Sequence, residues 1–279
     1  MHIPAYDNQN QPIVNVNDEQ VPLCYFNIVK LSKGDTYTYS VEDYETCVAP
    51  ATGSVDVNVM GQTFDAVGKR NHIWEGDPEA AYVPLGAEAI LTCVSDEAEV
   101  FIAGAKHDEV YEPFVVRESD IDHVQYGSDD TKTHRKIKHI LGQKPPGKVG
   151  KLLVSELFTV GAGGWSGFPP HKHDTDNLPE ESRHDEVYNF RFNPENGFGA
   201  QFMTREEDNR EEVYHIKNSS TIKIEKGYHP CVVAPGYEMY YFTILAGLSQ
   251  RSLQQNFHPD NAYQLETIPG IKDMISKFK

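Results

Sequence analysis

From residue 24 onward the chain is a succession of short runs in which apolar and polar residues alternate, each closed by a cluster of turn formers. In the second half the runs are 152–159, 186–192, 199–203, 212–216, 221–225 and 239–245. Between them lie Asn193-Pro194-Glu195-Asn196-Gly197, Lys217-Asn218-Ser219-Ser220 and Ala234-Pro235-Gly236. The first half repeats the habit at 24–30, 37–41, 54–60, 81–84, 89–94 and 99–103. Alternation with period two half-buries a strand. Strands recurring at about 8–12 residue spacing close on themselves as an all-β sandwich or barrel. One helix is expected, at 271–278, after Pro269-Gly270.

At 279 residues the chain is long enough for two hydrophobic cores. The run Gly142-Gln143-Lys144-Pro145-Pro146-Gly147-Lys148 can continue neither a helix nor a central strand. It divides the chain into 1–141, a linker at 142–150, and 151–279. A weak internal repeat supports two related halves. Val83-Pro84-Leu85-Gly86 leads into an apolar run at 89–105, and Ile224-Glu225-Lys226-Gly227 leads into another at 230–246, offset by 224 − 83 = 141 residues.

The 25 Lys and Arg against 42 Asp and Glu leave a net charge of −17. Such a surface excludes nucleic acid as a partner and disfavours anionic membranes. The N-terminal segment Met1-His2-Ile3-Pro4 has no basic stretch leading into an apolar one, and no apolar run approaches a membrane span. Cys24, Cys47, Cys93 and Cys231 are scattered without a C-x-x-C pair. They read as free core thiols in a reducing cytoplasm.

The chemistry concentrates in Pro169-Pro170-His171-Lys172-His173-Asp174. In an extended segment residues i and i+2 share a face, so His171 and His173 project together while Lys172 points away. Downstream, Glu186, Tyr188 and Phe190 share a face that Phe190 marks as interior. A buried carboxylate requires a proton or a cation beside it. Gly227-Tyr228-His229-Pro230 then places a third histidine at the entry to a strand. Three imidazoles and one carboxylate suit a divalent first-row metal with positions left open for a ligand. His184 and His215 fit no pattern and are expected at the surface.

These residues resemble the cupin pattern: H-x-H and a later Glu in one motif, a single His in a second, on a small β-barrel. The run Trp165-Ser166-Gly167-Phe168-Pro169-Pro170-His171-Lys172-His173-Asp174 closely resembles the 5-deoxy-glucuronate isomerase family of inositol catabolism. So do Glu186-Val187-Tyr188, Gly197-Phe198-Gly199 and Gly227-Tyr228-His229-Pro230. That family is a bicupin related to 5-keto-4-deoxyuronate isomerase. The likeness is dense from 152 to 247 and looser before it. Two departures stand out: a glycine-rich turn at 159–164, and a polar stretch, Arg183-His184-Asp185, in a long gap before Glu186.

The resemblance implies two cupin-type (double-stranded β-helix, jelly-roll) barrels in tandem. It implies a metal-dependent aldose–ketose isomerase that converts 5-deoxy-glucuronate to 5-dehydro-2-deoxy-gluconate. Glu88 stands where the 141-residue offset places His229, and the first half has no H-x-H, so the first barrel is expected to lack a metal. The metal ligands are His171, His173, Glu186 and His229. Zinc is the first choice, with manganese or iron as alternatives. Tyr188 is the candidate proton-transferring residue. Arg135, in the basic segment 131–139, is the candidate partner for the substrate carboxylate, and Gln201 for a hydroxyl. A cupin dioxygenase would use the same ligand set, whereas a non-catalytic sugar-acid-binding bicupin, the other alternative, would have no need of an open metal. Exposed strand edges suggest a homo-oligomer.

Overall fold

The structure, a computed structural model, describes residues 1–161 and 163–277. Its strands form two barrels, each made of a larger sheet facing a smaller one. In the first barrel the larger sheet runs Phe114–Val116, Ala80–Val83, Tyr44–Thr52, Glu97–Lys106, Cys24–Ser32. Facing it are Thr36–Tyr39, Ala89–Cys93, Val55–Val59 and Gln62–Val67. In the second the larger sheet runs His2–Ile3, Thr221–Ile224, His184–Asn193, Glu238–Gly247, Leu152–Thr159, Arg135–Leu141, Asp122–Tyr126. Gly164–Ser166, Cys231–Val233, Phe198–Arg205 and Arg210–Lys217 face it. The chain is thus all-β with tandem barrels of cupin type. A short helix, Ile271–Ser276, lies where one was expected; Phe278 falls outside the described residues, as does Ala162 of the glycine-rich turn.

Alternation along the central strands assigns each side chain to one of two cores. On Glu97–Lys106, Val100 and Ile102 point into the first barrel, while Phe101, Ala103 and Ala105 point out of it. On Glu238–Gly247, Tyr241 points into the second barrel, while Tyr240, Phe242, Ile244 and Ala246 point out. The two outward sets meet and make the barrel–barrel interface, where the Phe101 and Phe242 rings lie 4.8 Å apart. Burying each such ring contributes about 1.5–3 kcal/mol. All four cysteines are buried and free.

The repeat is visible in the strand plan. Ala80–Val83 and Thr221–Ile224 differ by 221 − 80 = 141, and Glu97–Lys106 and Glu238–Gly247 by 238 − 97 = 141. Tyr44 opposes Lys106 as His184 opposes Gly247, so the strand between them is offset by 184 − 44 = 140. That strand, Tyr44–Thr52, escaped the period-two reading because it contains Pro50. The structure accommodates the proline at a register shift between Pro50 and Thr52.

Sheet membership does not follow the division expected at 142. Asp122–Tyr126 and Arg135–Leu141 hydrogen-bond into the second barrel through Leu152–Thr159. His2–Ile3 pairs with Thr221–Ile224. No strand lies between Leu141 and Leu152, as the linker requires, but the linker joins neighbouring strands of one sheet. Two carboxylates related by the 140-residue offset fasten the barrels reciprocally. Glu45, fully buried, accepts backbone N–H groups of Gly150, Lys151 and Leu152 at 2.6–2.8 Å. Asp185 accepts the N–H of Leu23 at 2.9 Å. Each barrel thereby holds the chain at the start of a long strand of the other.

Candidate metal centre

His171 sits on the two-residue strand His171–Lys172, which pairs with Asn256–Phe257, and His173 follows it. Lys172 points away and binds Asp174 and Glu181 at 2.8 Å each. The long gap before Glu186 is a loop organised by Glu181, which accepts the backbone N–H of Asp174 and of Thr175. Asp174 in turn accepts the N–H of Gly227 at 2.8 Å. That bond ties the H-x-H loop to the turn presenting His229. Gly227 has φ +89°, and a Cβ there would lie 2.4 Å from the Thr204 carbonyl oxygen, so only glycine fits.

The three imidazoles converge: His171, His173 and His229 each offer a ligand atom within 4.8 Å of the others, and all three are buried. The Nδ1 atoms face the backbone carbonyls of Pro169, His184 and Gly227 at 3.1, 3.0 and 2.8 Å. A carbonyl only accepts, so each Nδ1 carries a proton and each ring turns its Nε2 inward. Glu186 Oε2 lies 3.1 Å from His173 Nε2 and 3.3 Å from His229 Nε2. His229 Nε2 is buried with no hydrogen-bond partner. Three imidazole nitrogens and a carboxylate gathered around one point are a donor set that fits a divalent metal.

The electrostatics agree. Burial alone would raise the Glu186 pKa, but the adjoining His173 and His229 imidazoles hold it down to about 2. Burial, reinforced by His229 and His173, pushes His171 down to about 3, which keeps it neutral. Burial opposes charge on His173 too, yet Glu186 beside it raises its pKa. Burial and the Glu186 carboxylate hold the Tyr188 phenol well above its usual range, so its hydroxyl stays protonated.

His171, His173, Glu186 and Tyr188 line a small cavity of about 50 Å³, partly open to solvent. Its opposite walls are apolar, with Leu157, Leu245 and Leu253, and Ile271 and Met274 of the C-terminal helix. Of the other residues singled out in the sequence, Gln201 is fully buried and donates its amide to the carbonyls of His229 and Pro230, at 2.7 and 3.2 Å. It braces the backbone of His229, a candidate ligand. Arg135 belongs to a strand rather than an open loop. It is fully buried with its guanidinium 5.3 Å from the Tyr241 ring, and neither Nη atom has a hydrogen-bond partner.

His184, expected at the surface, is fully buried. Its ring lies 6.2 Å from that of His173, and its Nε2 is 3.2 Å from the Arg251 carbonyl. The alternation that turned Glu186 inward extends to 184 and could have shown this. His215 is exposed as expected. Tyr241, missed in the sequence, also lines the cavity, and its hydroxyl is hydrogen-bonded to Ser166.

Tandem β-barrels with a buried triple-histidine and glutamate cluster in one of them define a bicupin with a candidate metal centre. A single-site mutant of the oxalate decarboxylase of Bacillus subtilis shares the fold at TM-score 0.57 and 11% identity, over 88% of this chain and 75% of that one. Residues 2–264 match the KduI/IolB family, and the chain belongs to it. It is 31% identical to a 5-deoxy-glucuronate isomerase of Geobacillus kaustophilus over 95% of each chain. It is 29% identical to that of Bacillus subtilis strain 168 over 90% of each. An IolB-like protein of Salmonella typhimurium LT2 superposes with TM-score 0.86 at 25% identity, covering 94% of this chain and 98% of that one. Among the described residues no helix is long and apolar enough to cross a membrane.

Proposed function

We propose that this chain is an aldose–ketose isomerase acting on 5-deoxy-glucuronate and forming 5-dehydro-2-deoxy-gluconate, a step of inositol breakdown in the cytoplasm. The observation that carries the reading is the convergence of His171, His173, His229 and Glu186 on one point of a cavity, in a chain whose full-length relatives bear that name. Those four residues would hold the metal, zinc first and manganese or iron as alternatives. When bound, it supplies Lewis-acid polarisation of the carbonyl and neighbouring hydroxyl, without redox change.

The protein's own groups order the ligands and engage the substrate. The Nδ1 bonds to backbone carbonyls keep the three imidazoles in one tautomer and orientation. Gln201 fixes the His229 backbone. Tyr188, protonated and facing the cavity, donates to an oxygen of the substrate as charge develops there. No lysine or arginine lines the cavity among the described residues. Arg135, behind Tyr241 with both Nη atoms unpaired, supplies the positive potential that draws in the substrate carboxylate. The protein works as a homo-oligomer.

The test is metal analysis of protein purified without chelator, then turnover of 5-deoxy-glucuronate before and after metal removal and restoration. Bound divalent metal with restorable isomerase activity is the expected result. A fully metallated protein that leaves the substrate unchanged overturns the reading.

A further inference from the structure

The cavity has a polar feature the metal centre does not use. Strand register sets His139, Ser155, Thr243 and Tyr188 side by side across four strands. His139 opposes Ser155, Ser155 opposes Thr243, and Thr243 opposes Tyr188. Ser155, Thr243 and Tyr188 all line the cavity. The row on one side is apolar or aromatic, with Ile137, Leu157, Tyr241 and Phe190 in register. On the other side Leu153 and Leu245 lead to Glu186. A polar stripe therefore crosses an otherwise hydrophobic floor.

The two hydroxyls on this stripe are in different states. Ser155 Oγ lies 2.8 Å from His139 Nδ1, which fixes its direction and leaves its remaining hydrogen-bonding capacity toward the cavity. Thr243 is 4% exposed, and its Oγ1 has no hydrogen-bond partner among the described residues. Burying a hydroxyl without a partner is destabilising. Valine has nearly the same shape and would avoid that cost. The Oε1 of Gln255, which also lines the cavity, is likewise buried without a partner. Unpaired buried groups on two residues that line one cavity mark a place where a ligand brings the missing partners.

We infer that Thr243 and Ser155 form a binding subsite for hydroxyl groups of a polyhydroxy-acid chain, one end of the cavity gripping the chain while the metal centre handles the reacting carbons. The inference rests on the isomerase reading and deepens it. Thr243 stands opposite Tyr188, and Glu186 lies two residues further along the Tyr188 strand, about 7 Å away. That separation is comparable with the length of an extended six-carbon chain. Thr243 and Ser155 are positioning residues: they touch the non-reacting part of the substrate and set where its reacting end lies.

The experiment compares wild type, Thr243→Val, Thr243→Ser and Ser155→Ala, all with full metal. It measures kcat and KM on 5-deoxy-glucuronate, and the rise in melting temperature produced by D-glucuronate. Thr243→Val should melt at or above the wild-type temperature, since it removes an unpaired hydroxyl. It should raise KM roughly tenfold with a smaller change in kcat, and lose most of the D-glucuronate stabilisation. Thr243→Ser should restore binding, and Ser155→Ala should weaken it. If wild type is stabilised by D-glucuronate through Thr243 but never turns over 5-deoxy-glucuronate, the isomerase reading falls and the subsite stands. Unchanged KM and unchanged stabilisation in Thr243→Val overturn the subsite while leaving the isomerase intact. A Thr243→Val protein that melts well below wild type assigns the hydroxyl a structural role and also overturns it, as does a wild type that D-glucuronate fails to stabilise.

Discussion

The two barrels share a strand plan and differ in what they put inside it. With the 140- and 141-residue offsets, the places of Glu186 and Tyr188 are taken in the first barrel by Thr46 and Val48, and those of Tyr241 and Thr243 by Val100 and Ile102. Thr46 is satisfied locally by the Tyr39 hydroxyl at 2.8 Å, and Val48, Val100 and Ile102 close an apolar core. The counterpart of His229 is Glu88, which is exposed. One barrel is filled by its own side chains and the other keeps a polar cavity. The scaffold therefore sets where side chains point, and a handful of inward positions decide whether the interior is a core or a site.

The sharpest way to break the comparison is to disarm the second barrel. His171→Ala should lose bound metal and lower kcat about a thousandfold while the fold persists, since several kcal/mol of charge stabilisation disappear. Metal content, turnover and circular dichroism check this together. Next comes a carboxylate placed in the first barrel at the position of Glu186. Thr46→Glu meets no imidazoles there and should cost about 3–5 kcal/mol in urea unfolding, as uncompensated buried charges do. A near-neutral result would mean that the first interior is more polar than its packing implies.

A smaller effect concerns acid. Burial pushes His139, on a strand of the second barrel, down to about 4 from 6.5. A histidine with a lowered pKa in the fold favours the unfolded chain as pH falls. Its stabilising contribution is whole above pH 6.5 and is lost as pH drops toward 4. His139→Gln should therefore lose less stability than wild type between those limits, by on the order of 2 kcal/mol, read from unfolding midpoints against pH. The smallest effect is expected from Arg135→Met. KM for the uronate should rise roughly tenfold, with only a small loss of melting temperature, because the guanidinium gives up one bond, from Nε to the Phe158 carbonyl, while both Nη atoms are unpaired.

Local pattern carried a good share of this molecule. The i, i+2 rule put His171 and His173 together, and alternation turned Glu186, Tyr188 and Phe190 inward. The 141-residue offset marked corresponding strands in the two barrels. What stayed hidden depends on pairing between distant segments. Arg135 looks like part of a basic loop until Leu152–Thr159 is laid beside it. Gln201 looks like a surface amide until the His229 turn crosses it. The stripe of Ser155 and Thr243 exists only through register, because neither residue has a distinctive neighbour in sequence. Pro50 concealed a central strand for the opposite reason: a local rule was overridden by a shift in pairing.

The pairing of His2–Ile3 with Thr221–Ile224 sets a schedule for the growing chain. The first strand made must wait for 221 − 3 = 218 further residues before its partner exists. At about 5–20 residues per second that is roughly ten to forty seconds on the ribosome. Glu45 likewise has no backbone N–H groups to receive until residues 150–152 emerge. The first barrel is therefore born with a loose end and with a carboxylate that has the Tyr82 hydroxyl but not its backbone donors, and both are completed only when the second arrives.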